Sequence, residues 1–160
     1  MSRSDIATSV ERVRRAAGDL GLTIEVVEYP DGTRTAADAA GAVGCDVAQI
    51  VKSMIFDADG EIVLALTSGA NQVDTDALAA LAGVTACRRA DPDRVREATG
   101  YAIGGVAPIG HPAPVRTWID PTLLEHDQVW AAAGTPRHVF AVDPAELVTV
   151  TDARPADFTA

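Results

Sequence analysis

Lys52 lies inside Ile50-Val51-Lys52-Ser53-Met54-Ile55-Phe56, a stretch that reads as a buried strand, and it is the only lysine among 13 Lys and Arg residues. Period-two alternation puts Lys52 on one face with Ile50, Met54 and Phe56, and puts Val51, Ser53 and Ile55 on the other. Both faces are largely apolar, so the ammonium group enters a mostly dry environment. The chain uses arginine at every other cationic position and keeps a compact point charge at this one. Two readings of the residue follow: a functional cation, or a lysine near the start of a strand that snorkels its head to water.

The second candidate is Tyr101-Ala102-Ile103-Gly104-Gly105-Val106-Ala107-Pro108-Ile109-Gly110-His111. Gly104, Gly105 and Gly110 permit positive φ and close backbone approach, while Pro108 stiffens the segment and removes a donor. Such a loop can aim backbone N–H groups at a carbonyl or an oxyanion. It can equally be a turn between strands. It matches neither the GxxxxGK[ST] phosphate loop nor the GxGxxG dinucleotide fingerprint. His111, His126 and His138 lack metal-ligand spacing, and there is no nucleophile elbow or paired-carboxylate signature. No metal and no cofactor are therefore expected, and water or a substrate group is the expected nucleophile.

The elements that must position these residues are legible from caps and periodicity. A helix is predicted over 5–19, with Ser4 as its cap and Gly21 past its end. A strand follows over 24–29, closed by the turn Pro30-Asp31-Gly32. Thr35 and Asp38 open a short alanine-rich helix ending at Gly44, and Asp46 with Gln49 repeats the capping pattern before the lysine strand. Asp57-Ala58-Asp59-Gly60 reads as a hairpin turn into a strand over 61–68. Asp74 caps a helix ended by Gly83, a short strand covers 84–88, and Asp91-Pro92 opens a helix to Thr99. Three further strands are predicted at 115–120, 128–132 and 138–142, then a helix near Asp143-Pro144 and a frayed tail. Strict βαβ alternation is absent, which argues against a doubly wound sheet and for a mixed or antiparallel one with helices around it.

The 160 residues fit one domain, 1–160, and the 48% apolar content suits a packed core. No run is long and apolar enough to span a bilayer, and the N-terminus does not resemble a secretory signal, so a cytoplasmic protein without a membrane partner is expected. Cys45 and Cys87 are expected to be free, buried thiols. A net charge of −10 argues against generic nucleic-acid binding. The clusters Arg12, Arg14, Arg15 and Arg88, Arg89, Arg94, Arg96 are interleaved with acids and read as solvated faces.

The lysine strand, paired about fifty residues later with Thr99-Gly100-Tyr101-Ala102-Ile103-Gly104-Gly105-Val106-Ala107-Pro108-Ile109-Gly110, resembles the YbaK family of aminoacyl-tRNA deacylases. These are free-standing relatives of the editing domain inserted in bacterial prolyl-tRNA synthetases. The resemblance runs from Ile24-Glu25-Val26-Val27-Glu28-Tyr29 to the closing Glu146-Leu147. It implies an α/β fold of the α+β type, a compact, largely antiparallel mixed sheet of about seven strands surrounded by short helices. It implies hydrolysis of the ester of a mischarged aminoacyl-tRNA, most often tRNA for proline carrying a small non-cognate amino acid. Lys52 would be the catalytic residue and would engage the tRNA end. The element from Gly104 through Gly105, Val106 and Ala107 to Pro108, with Gly110 beyond it, would shape the amino-acid pocket, and Tyr29, Ser53 and Asp120 would contact substrate. Tyr29 can equally be a strand-end tyrosine, and Asp120 a helix cap before Pro121. The implied partners are the tRNA acceptor end and a prolyl-tRNA synthetase. Two departures bear on specificity: many members have serine where this chain has Ala107, and the branch that clears alanine has asparagine where this chain has Ser53. The alternative within the same fold is a module that binds aminoacyl-tRNA or a synthetase without hydrolysing anything.

Overall fold

The computed structural model describes residues 3–29 and 35–160; the expected turn at 30–32 lies outside them. The elements run α1 (Arg3–Asp19), β1 (Val26–Glu28), α2 (Ala36–Val43), β2 (Ile50–Ala58), β3 (Glu61–Ser68), α3 (Thr75–Ala82), β4 (Cys87–Arg89), α4 (Pro92–Thr99), β5 (Arg116–Ile119), β6 (Val129–Ala132), β7 (His138–Val142), α5 (Pro144–Thr151) and β8 (Arg154–Pro155), with 3₁₀ turns at Val47–Gln49 and Pro121–Glu125. Local chemistry sets most boundaries. Thr35, Asp74, Asp91 and Asp143 cap their helices through side-chain oxygens, and Gly44, Gly83 and Gly100 end three of them in the left-handed region. Asp46 and Gln49 form the expected capping box. The β2–β3 connection is tighter than expected: β2 continues to Ala58, and Asp59 and Gly60 alone make the turn, both with positive φ.

The sheet order is β1-β7-β6-β2-β3-β5-β8, with β4 also on β2. β1/β7, β2/β3, β2/β4 and β6/β7 pair antiparallel, whereas β2/β6, β3/β5 and β5/β8 pair parallel. Alternation along β2 and β3 feeds two cores. Val51, Ile55, Leu64 and Leu66 join α1, α4 and α5 through Val13, Val95 and Leu147; Phe56, Ala58, Val63 and Ala65 join α3 and the C-terminal segment through Leu78 and Phe158.

Three expectations are corrected. Ser4 lies within α1, which includes Arg3, so it is not the cap. The tail is ordered: β8 pairs with β5, Phe158 is fully buried, and its carbonyl accepts from the Asp74 N–H at 2.7 Å. Cys45 and Cys87 are free but only half-buried. Burial still raises both thiol pKa values.

One irregularity of the sheet positions the site. On the edge of β2 opposite β3, β6 pairs with Ile50 and Val51, and β4 pairs from Phe56 to Ala58. The Ile55 carbonyl accepts from the Ala90 N–H at 3.1 Å. Between these partners Lys52, Ser53 and Met54 have no strand alongside them among the described residues, which leaves a notch in the sheet.

Candidate functional site

The notch opens into a cleft of about 620 Å³, within the size range of small-molecule sites. Lys52 stands at its wall, half-buried, and Nζ donates to the Asn71 carbonyl at 2.6 Å. Asn71 is itself held: Nδ2 donates to Asp120 Oδ2 at 2.9 Å and to Thr122 Oγ1 at 3.1 Å. Asp120, 1% exposed, accepts further bonds from the Ser68 N–H at 3.1 Å and the Thr122 N–H at 3.0 Å. The buried carboxylate is thus both the cap of the Pro121–Glu125 turn and the anchor of the residue that holds Lys52. Burial lowers the Lys52 pKa below the ordinary lysine value, the Arg89 guanidinium lowers it further, and Asp120 opposes both.

Another part of the lining comes from the glycine-rich loop and the β6–β7 connection. Gly104 has φ +88, and the Gly105 N–H donates to the Ala102 carbonyl at 3.0 Å, closing a turn. A Cβ on Gly105 would sit 2.6 Å from Thr135 Cα, so the close approach of two backbones there requires glycine. Thr135 and His138 complete this wall. Thr135 Oγ1 accepts from the Arg137 N–H at 3.1 Å and shares a hydrogen bond with His138 Nδ1 at 2.6 Å, while His138 Nε2 lies 3.8 Å from Glu28 Oε2.

The residues expected in the site separate into two sets. Lys52, Ser53, Gly104 and Val106 line the cleft. Among the described residues the buried Ser53 hydroxyl has no hydrogen-bond partner. Gly105 lies one layer behind, against Thr135. Ala107 and Pro108 are buried in the core side of the loop, and Gly110 packs against Tyr101 and α1. Tyr29 is buried beneath α2, where its hydroxyl reaches the Ala39 carbonyl at 3.5 Å. Asp120 stands behind Lys52, through Asn71. Sequence reasoning missed Asn71, Arg89, Thr135 and His138. The Arg88-Arg89 pair beside an apolar strand is the one local signal among them; the others depend on register and loop packing.

In chemical terms this is a largely apolar slot whose lining combines a cation, an open strand edge, a hydroxyl without a hydrogen-bond partner among the described residues, and a tight glycine turn. It can hold a small polar ester. The aminoacyl-tRNA editing domain model matches residues 30–150. This chain belongs to the aminoacyl-tRNA editing domain family.

The relatives agree. The uncharacterized protein YwhH of Bacillus subtilis (strain 168) is 29% identical over 124 residues, covering 77% of this chain and 78% of that protein. A proline–tRNA ligase of Solidesulfovibrio magneticus is 31% identical over 160 residues, covering 94% of this chain but only 27% of the ligase. A crystal structure of a protein provisionally assigned as a trans-editing enzyme for prolyl tRNA synthetase superposes with a TM-score of 0.91 at 43% identity, covering 100% of this chain and 99% of that one.

Proposed function

We propose that this protein is a free-standing deacylase that hydrolyses the ester of mischarged aminoacyl-tRNA, with tRNA for proline bearing a small non-cognate amino acid as its substrate. The observation that carries the reading is Lys52: a partly desolvated ammonium fixed by the Asn71 carbonyl beside an open strand edge, in a cleft that a glycine turn also lines. The family and the similarity to a provisionally assigned prolyl-tRNA trans-editing enzyme support it.

An aminoacyl ester is already activated, so positioning and electrostatics suffice. Water adds to the acyl carbon, the bond from that carbon to the ribose oxygen breaks, and the ribose oxygen leaves with a proton from the water. The free amino acid and an uncharged tRNA result. Lys52 holds the acceptor end beside the carbonyl, while Gly104 and Val106 bound the space left for the amino-acid side chain. Small side chains are the class that a synthetase pocket rejects poorly, and a second sieve removes them.

The test is deacylation of tRNA for proline charged in turn with alanine, cysteine, serine, threonine or proline, comparing wild type with Lys52→Ala. Selective loss of one non-cognate species, abolished by the substitution, is the expected result. Turnover unchanged in a folded Lys52→Ala variant would remove Lys52 from the mechanism, and inertness across the panel would favour a binding module of the same fold.

A further inference from the structure

The cleft has a charge pattern at odds with the rest of the molecule. The chain carries 23 Asp and Glu residues and a net charge of −10. Yet no carboxylate is among the described residues that line the cleft, and two cations, Lys52 and Arg89, are. The sheet register explains how they meet. Arg89 pairs across from Phe56, so it projects from the face that carries Lys52 and Met54. Lys52 and Phe56 lie four residues apart, about 13 Å along a strand, a gap that a long arginine and a long lysine leaning together over Met54 can close.

Among the described residues neither cation makes an ion pair. Arg89 is exposed and its side chain has no ion pair or hydrogen bond among the described residues, in contrast to its neighbour Arg94, which bonds Asp57 at 3.2 Å. The nearest acid to Lys52, Asp120, already accepts from three N–H groups. Arg88, opposite Asp57, projects from the other face of the strand and away from this cluster. Two like charges over an apolar floor are unfavourable by themselves and become favourable around a dianionic or monoanionic oxygen cluster. Arginine's planar fork suits phosphate in particular.

We propose that Arg89 and Lys52 form a clamp for the phosphate of the substrate's 3′-terminal nucleotide, seating the nucleotide over Met54 so that the ester enters the notch. This inference rests on the deacylase reading for the identity of the nucleotide, and Arg89 is its new element. It also accounts for how a strongly acidic protein grips a polyanion: locally, at one phosphate, and not along a basic track.

The experiment is a calorimetric or NMR titration of the full chain with adenosine 5′-monophosphate, adenosine, the trinucleotide CCA and inorganic phosphate. Wild type is expected to bind the 5′-monophosphate about tenfold or more tightly than adenosine, with the preference shrinking as salt rises. CCA should bind at least as well as the monophosphate. Arg89→Ala should erase most of the preference, Arg89→Lys should keep part of it, and Arg88→Ala should keep it whole. Thermal melts of each variant report folding. Equal affinity for adenosine and its monophosphate, no binding of either, or an undiminished preference in folded Arg89→Ala would overturn the clamp. Inorganic phosphate binding as tightly as the nucleotides would overturn its assignment to a nucleotide. Failure of the deacylase reading looks different: phosphate discrimination would persist while every mischarged tRNA stayed intact.

Discussion

At Gly104 and Val106 the glycine-rich loop borders the cleft, whereas from Ala107 to Gly110 it packs against the core, Tyr101 and α1. The first half is shaped by what must stay empty in front of it. The second half is shaped by what it must hold behind it: the Tyr101 hydroxyl donates to the Ile109 carbonyl at 2.8 Å, and His111 Nε2 bonds the Ala107 carbonyl at 2.8 Å. A motif that reads as one unit in sequence is therefore a cleft wall fused to an anchor. Substitutions in the two halves should separate turnover from stability.

The largest effect belongs to Lys52, which lines the same cleft. Lys52→Ala removes the cation and the donor to Asn71, and is expected to cost about 10²–10³ in kcat/KM, the range seen on deleting a single transition-state donor. Stability should change little, because Lys52 is only half-buried. Steady-state deacylation together with a thermal melt checks both statements.

Gly105→Ala is next, and it probes the wall directly. The added Cβ would meet Thr135 Cα at 2.6 Å and the Gly134 carbonyl oxygen at 2.9 Å, both of them backbone atoms that cannot swing aside. The loop must back away from the β6–β7 connection, which costs about 1–3 kcal/mol and displaces two surfaces of the cleft together. Activity per folded molecule should fall by at least about tenfold, since an ångström of misplacement is felt at a reacting centre.

How much of this was legible follows from the range of each interaction. Thr35 with Asp38, Asp46 with Gln49, and Asp91-Pro92 announce helix starts because a cap acts over three residues. The lysine strand and the glycine loop are legible for the same reason, since their chemistry is unusual within a short window. Asn71, Arg89 and His138 are not. Asn71 reaches Lys52 only because β3 returns antiparallel and turns at Gly69, and Arg89 shares a face with Lys52 only through a register that no local pattern fixes. The tail reads as frayed because a two-residue strand has no periodicity, and a single long-range event, burial of Phe158, orders it.

The two cations also predict a pH signature of the wall. If Lys52 acts as its ammonium, turnover falls as pH rises through its pKa, which burial and Arg89 hold below the ordinary lysine value. Removing the like charge in Arg89→Ala makes the ammonium easier to keep, so the alkaline limb should move to higher pH even as binding weakens. A limb that stays in place would show that the group titrating there is not Lys52.

The anchor half should show the opposite split from Gly105. Gly110 has φ +83, and a Cβ there would crowd the Tyr101 hydroxyl and Ala16 of α1. Gly110→Ala should cost about 1–3 kcal/mol of stability through left-handed strain and lower Tm by several degrees, with a smaller loss of turnover per folded molecule than Gly105→Ala. A Tm like that of wild type would mean that the loop is not braced against α1.

The smallest effect is a pH dependence of stability at His111. Burial lowers its pKa below the usual histidine value, and the bond to the Ala107 carbonyl opposes that only in part. The neutral ring is therefore favoured in the folded state, with Nε2–H donating to that carbonyl. A folded pKa depressed below the unfolded one means that the unfolded chain binds the proton first. The contribution of His111 is full above the unfolded pKa of about 6.5 and is lost as pH falls from there through the folded value. In His111→Gln, which keeps a donor and cannot titrate, denaturation midpoints measured between neutral and mildly acidic pH should fall less steeply than in wild type. Parallel curves for the two proteins would place the acid sensitivity outside the anchor, among the carboxylates, and would leave the Ala107 bond as packing geometry alone.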